Sequence, residues 1–313
     1  MPCYSPLTGW RSRHLNKSGK RGIVFVKSEG YADTEVSIPC GQCIGCRLDY
    51  SRNWAIRCMH EAQMHKNNCF ITLTYKDEKI PYNDIYPTLD KTHLQKFMKR
   101  LRKKFGKGVK YYACGEYGDE NERPHYHLCL FGVGFKDKEL FSTKGGNRLY
   151  ISKILDKLWT DPDDKENYGF ATIGELTFET AAYTARYCMK KAKGKDKDAH
   201  YERIASDTGE IISIEPEFAL MSRRPGIGKL WLDTYKSDLY PHDFTVVNKA
   251  QHKPPKYYDT IMEKDEKDRQ EIELIKAKRR AAAKKAIYEN SLARLHNRGL
   301  VKKQQIKTLT REL

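Results

Sequence analysis

The chain has 313 residues, enough to bury a full core, and its 58 Lys and Arg against 41 Asp and Glu leave a net charge of +17. No apolar run is long enough to span a bilayer and mean hydropathy is −0.77, which excludes a helical membrane protein. Twenty tyrosines interleaved with the positive charge point to nucleic acid as the partner. The start, Met-Pro-Cys-Tyr-Ser-Pro, lacks an apolar signal segment and the nine cysteines are odd in number, so we expect a reducing cytoplasm and no secreted disulfide framework.

In chain order, residues 1–46 read as a cap rich in Gly, Ser and Cys, with one short strand over 22–27, ending in Cys40-Gly-Gln-Cys43-Ile-Gly-Cys46. The spacing of Trp54, Ile56, Met59, Ala62 and Met64 predicts a helix over 48–66, where neither Pro nor Gly intervenes. Residues 68–75 (NCFITLTY) are β-branched and aromatic and predict a strand; 77–87 is turn-like. Leu94, Phe97, Met98, Leu101 and Phe105 then mark an amphipathic helix studded with Lys and Arg. Residues 110–117 (KYYACGEY) and 123–132 (RPHYHLCLFG) are two strands joined by the polar turn 118–123, a hairpin. A helix over 151–159, a strand over 168–176, a helix over 178–193 and a polar linker over 194–207 follow. After the basic loop 223–229 (RRPGIGK) comes a helix at 230–235, and beyond about residue 249 the chain is nearly all charge, with 276–285 an exposed helix or disordered arm. The expected fold class is α+β, an antiparallel sheet flanked by helices, divided into 1–66 (Cys-rich cap and helix), 67–240 (central domain) and 241–313 (basic extension).

The chemistry starts at the second arm of that hairpin. Strand alternation aims His125 and His127 out of one face and leaves Tyr126, Leu128 and Leu130 to pack on the other. On the first arm Tyr112, Cys114 and Glu116 share a side, so the hairpin can bring Glu116 beside both imidazoles, with Asp119, Glu120 and Glu122 in the turn as rivals. Two nitrogens and one carboxylate leave coordination positions open, as a catalytic Mg²⁺ or Mn²⁺ requires. Tyr183 and Tyr187, four apart on a helix, share a face with Lys190 and Lys191 a turn further, where cations favour phenolate and make a nucleophile; an aromatic stripe packed on the sheet is the competing reading. Tyr187, nearer those lysines, is favoured to attack first.

The order of residues 70–75 (FITLTY), the His125-Tyr126-His127 strand and the Tyr183/Tyr187 helix resembles the three motifs of HUH endonucleases. The flanking 39–47 (PCGQCIGCR) and 221–228 (MSRRPGIG) look like the replication initiators of gokushovirus-type microviruses, phages with circular single-stranded DNA, a resemblance that covers about residues 36–240. It implies an HUH-like five-stranded antiparallel sheet with flanking helices, nicking at the viral origin, a 5′-phosphotyrosine intermediate and rejoining during rolling-circle replication in the bacterial cytoplasm. Tyr126 departs mildly from the aliphatic residue the family prefers there. No phosphate-binding Gly-x-x-x-x-Gly-Lys-Ser/Thr loop occurs, so we expect no nucleotide cofactor and look to a host helicase and polymerase for unwinding and synthesis.

Cys40, Cys43 and Cys46 suit a structural Zn²⁺ with a fourth ligand from Cys58, Cys3 or His60; free thiols are the alternative. Arg47, Arg52, Arg57, the basic face of residues 94–105, Arg223 with Arg224, and the tail are expected to grip DNA phosphates, and Tyr112 and Tyr126 to stack bases unless they are core. A non-catalytic, zinc-bearing nucleic-acid binder for packaging or regulation is the alternative function, and a single-strand transposase a third.

Overall fold

The computed structural model describes residues 3–17, 19–187, 197–205 and 207–308. They form two compact units: one holds the described residues up to Tyr50 together with those from Lys276 onward, the other Ser51–Ile275.

The first unit begins with strands β1 (Leu7–Leu15), β2 (Arg21–Val24) and β3 (Val36–Ile38), an antiparallel sheet in the order β2-β1-β3. The sequence pattern marks only part of β2; β1 escapes because its nine residues carry five polar or charged side chains and mostly face solvent. Helix α1 (Ile44–Gln63) starts in this unit and continues into the second.

In the second unit β4 (Asn68–Leu73) is followed by the short hairpin β5 (Tyr82–Asn83) and β6 (Tyr86–Pro87), and by α2 (Lys91–Phe105). Asp90 caps α2 by accepting from Thr92 N at 2.6 Å, and Gly106, at φ 97°, ends it in a backbone region that suits glycine. Then come β7 (Lys110–Tyr117), β8 (Pro124–Phe131), β9 (Glu139–Lys144), β10 (Asn147–Ile151), α3 (Lys153–Leu158), β11 (Ala171–Gly174) and α4 (Phe178–Tyr187). Past α5 (Lys197–Tyr201), the hairpin β12 (Glu202–Ile204) and β13 (Ile211–Ser213) occupies part of what the sequence presents as linker; β14 (Phe218–Met221), α6 (Lys229–Leu239), the hairpin β15 (Thr245–Val247) and β16 (Ala250–His252), and α7 (Lys256–Met262) complete the unit. Helix α8 (Glu266–Lys285) runs from the second unit into the first, and α9 (Leu292–Lys307) lies in the first; the segment read as exposed helix or disordered arm is therefore helical in large part.

The central sheet is antiparallel throughout and has seven strands in the order β14-β7-β8-β4-β11-β10-β9, not the five the resemblance implies, because the β9–β10 hairpin extends one edge. One face is the main core: Tyr126, Leu128 and Leu130 of β8 and Ile71 and Leu73 of β4 meet Leu94, Phe97, Met98 and Leu101 of α2 and Trp159 beyond α3. Since His125 and His127 alternate with those core residues, α2 lies across the sheet from them. Its exposed Lys96, Lys99, Lys103 and Lys104 therefore face away from the histidines. On the histidine face α4 packs against β7 and β8 through buried Ala181, Thr184 and Ala185, and α1 reaches α4 through Ser51 Oγ, which donates to Ala182 O at 2.7 Å. Small residues at that contact let the helix backbone approach the sheet closely.

Candidate metal centre

Register, not proximity in sequence, assembles the centre. β7 and β8 pair Glu116 with His125, Cys114 with His127 and Tyr112 with Cys129, while β4 sets Thr72 beside His127 from the other flank. Glu116, His125 and His127 thus converge on one face with their ligand atoms within 4.8 Å of one another. Glu116 Oε1 lies 2.8 Å from His125 Nε2 and 2.9 Å from His127 Nε2, whereas its buried Oε2 has no hydrogen-bond partner. Of the turn rivals, Glu122 is drawn to Arg203 at 3.2 Å, and Asp119 and Glu120 line an open cleft of about 350 Å³ beside His125.

The outer nitrogens are tied down as well. His125 Nδ1 sits 3.0 Å from the carbonyl oxygen of Arg123, which can only accept, so Nδ1 carries the proton. In the neutral ring Nε2 is then a bare lone pair facing a carboxylate oxygen at 2.8 Å, a repulsive arrangement unless a cation, a proton or a metal ion, stands between them. His127 Nδ1 is 3.0 Å from Thr72 Oγ1, and its ring stacks on Phe70 at 5.4 Å. Burial drives the His127 imidazolium pKa down more than Glu116 raises it, favouring the neutral, ligating ring. For Glu116, burial pushes the carboxyl up, but the two imidazoles outweigh it and the net shift is downward, toward the ionised form. An orphaned buried oxygen, one fixed ring tautomer, a second ring held in orientation and an ionised carboxylate fit a divalent ion.

Helix α4 adds Tyr183, half-buried, its ring edge-on to His127 with centroids 5.1 Å apart. Tyr187 is the last residue of α4, but its side chain lies outside the described residues, as do Lys190 and Lys191 entirely. Arg223 and Arg224 are exposed, and Arg47 and Arg52 half-buried.

Several sequence expectations need correction. Tyr112 and Tyr126 are fully buried, the first stacked on Trp54 at 4.2 Å and the second bonded to Tyr75 and to Asp90 O at 2.8 Å, so neither can stack a base. Arg57 is sandwiched between Trp54 and Tyr257, 4.0 and 3.9 Å from their ring centroids, and donates to Ile227 O; it is a packing cation and no phosphate clamp. Cys58 and His60 are not fourth ligands to the cysteine triplet. Cys58 is fully buried against Cys129, and His60 stacks on Trp231 with its nitrogens held by Tyr258 and Thr245. Cys3 stands with Cys40, Cys43 and Cys46 instead. Thr72, from the neighbouring strand, orients His127; only the strand pairing shows which residue its hydroxyl meets.

A central antiparallel sheet with a Glu–His–His centre on one face and a helix-borne tyrosine against it is an HUH-endonuclease-like fold. Residues 68–192 match the family described as Replication-associated protein ORF2/G2P. The chain is 37% identical over 267 residues to Replication-associated protein ORF2 of Spiroplasma virus 4, spanning 82% of this chain and 77% of that one. It is 33% identical over 240 residues to Replication-associated protein VP4 of Bdellovibrio phage phiMH2K, covering 73% and 68%, and 32% identical over 163 residues to Replication-associated protein ORF4 of Chlamydia phage 1, covering 49% and 38%. No solved structure matches. The chain belongs to the replication-associated proteins of gokushovirus-type microviruses.

Proposed function

We propose that the chain starts rolling-circle replication by nicking single-stranded DNA at the phage origin, stays attached through a 5′-phosphotyrosine, and later rejoins the ends. Family membership supports the replication role, and the observation that carries the chemistry is the Tyr183 ring 5.1 Å from His127. Glu116, His125 and His127 would hold a divalent ion, Mg²⁺ or Mn²⁺, which when bound supplies positive charge against the oxygens of the scissile phosphate. Thr72, Phe70 and the Arg123 carbonyl keep both imidazoles in place while DNA exchanges.

A tyrosine hydroxyl oxygen attacks the phosphorus; its bond to phosphorus forms as the bond to the 3′ oxygen breaks, and the proton lost by the phenol balances the one gained by the 3′-hydroxyl. One phosphoester replaces another, so the reverse step rejoins DNA without ATP. Tyr187, one helical turn on, is the other nucleophile and the one favoured to attack first, with Lys190 and Lys191 favouring phenolate. Arg47, Arg52, Arg223 and Arg224 contact phosphates, and a host helicase and polymerase act on the nicked strand in the bacterial cytoplasm.

The test is incubation of the protein with single-stranded origin oligonucleotides and Mn²⁺, followed by denaturing electrophoresis. A covalent adduct that requires metal is expected, absent when Tyr183 and Tyr187 are both replaced by Phe. A non-catalytic nucleic-acid binder would give no adduct with or without metal, and an adduct surviving in the double variant would refute the tyrosine assignment.

A further inference from the structure

We infer that the first unit carries a second, structural metal site, a tetrahedral Zn²⁺ bound by the thiolates of Cys3, Cys40, Cys43 and Cys46, independent of the Glu–His–His centre. The four Sγ atoms lie within 4.8 Å of one another, and none is in a disulfide. Zinc–thiolate bonds of about 2.3 Å set tetrahedral sulfur–sulfur edges of about 3.8 Å. The Cys3–Cys40 and Cys3–Cys43 separations are 3.6 and 3.8 Å. They are far too long for a disulfide of about 2.05 Å, and the cage is too tight for an iron–sulfur cluster, which fills the space between its thiolates with several atoms.

The backbone is also arranged for thiolates. Gln42 N and Cys43 N both donate to Cys40 Sγ, at 3.4 and 3.2 Å, a turn made possible by Gly41 at φ 74°. Cys40 N donates to Cys3 Sγ at 3.3 Å and Tyr4 N to Cys43 Sγ at 3.2 Å, so three of the four sulfurs accept N–H groups that favour the anion. Cys43 immediately precedes α1, accepting from Arg47 N at 3.0 Å, and Cys46 lies in the helix's first turn, where the dipole favours negative charge.

The consequence is architectural. Cys3 comes from one end of the chain and the triplet from the β3–α1 junction, while Gly299 of α9 is packed so closely under Tyr4 that an added Cβ would come within 3.2 Å of the Tyr4 Cβ. The ion would thus pin the N-terminal segment on which the C-terminal helix rests, in a unit with few other buried apolar side chains.

Metal analysis of the desalted full chain, purified under reducing conditions, tests this. One zinc per chain is expected, retained in His125→Ala/His127→Ala and in Cys58→Ala, and lost in Cys3→Ser and Cys40→Ser. Replacement by Co²⁺ in the wild-type chain should give the intense visible absorption and thiolate charge-transfer bands of a tetrahedral sulfur site, which keeps the assignment testable if a Cys variant fails to fold. Absence of zinc, iron in its place, or zinc that disappears with the two histidines would each overturn it; failure of DNA adduct formation would not.

Discussion

The Thr72 hydroxyl lies 3.0 Å from His127 Nδ1 and orients that ring. Thr72→Val, nearly the same in shape, should lower Mn²⁺ affinity by about 10- to 100-fold while leaving thermal stability close to wild type; calorimetric titration would show it, and unchanged affinity would mean that the Thr72–His127 contact does not matter. Glu116→Gln keeps the volume but removes the anion between the imidazoles, and a larger loss of affinity is expected by the same measurement. Because the lone pair of His125 faces Glu116 across 2.8 Å, the metal-free site must hold a proton there. Metal loading should therefore release protons, seen as a binding enthalpy that changes with buffer ionisation enthalpy, and should weaken on acidification. The depressed imidazolium pKa of His127 keeps that ring neutral to lower pH than an exposed histidine. Both histidines and Glu116 were legible in the sequence because strand alternation and hairpin pairing are local. The orienting role of Thr72 was not, since it depends on a partner brought close only by folding, and for the same reason Cys3 could be named only beside Cys58 and His60 as one of three possible companions of the cysteine triplet.

Helix α4 decides whether a tyrosine can serve the centre. Ala181 and Ala185 are fully buried against the sheet, and a larger side chain at either position has nowhere to go. Ala185→Leu should overpack the contact, cost about 1–3 kcal/mol in urea unfolding, and reduce adduct yield by lifting Tyr183 from His127; normal yield at reduced stability would show that the helix position is not critical. The helix itself is readable from its composition, as are α1 and α2 from apolar periodicity. What periodicity could not supply was which face each helix covers. The sheet places the basic stripe of α2 opposite the histidines, and Arg57, one more cation in a basic helix, is clasped between two aromatic rings. The β9–β10 hairpin went unread because its strands are largely exposed and weakly alternating.

For the whole molecule, charge and buried titratable groups set the response to solvent. Burial holds His60 down to about 3, while the unfolded chain titrates near the ordinary value of about 6.5. Between those values the unfolded state binds more protons, so stability is complete above about pH 6.5 and falls as pH drops toward 3, by about 2 kcal/mol from pH 7 to pH 5. Urea midpoints at the two pH values check this; equal stability would contradict it. The net charge of +17 is expected to make DNA affinity fall steeply with salt, and Arg223→Ala/Arg224→Ala to flatten that slope by about one to two units of log K per log salt. Composition pointed to nucleic acid, and membership among phage replication-associated proteins agrees with that, whereas the two-unit arrangement was hidden, because the tail that joins the N-terminal residues follows them by more than two hundred positions.

The central claim is that a tyrosine of α4 becomes joined to DNA at the Glu–His–His centre. Protease digestion of the Mn²⁺-dependent adduct and mass spectrometry of the nucleotide-bearing peptide test it directly. The nucleotide mass is expected on Tyr183 or Tyr187, and to be absent from the Glu116→Gln protein; the mass on any other residue, or its full recovery without Glu116, would contradict the claim.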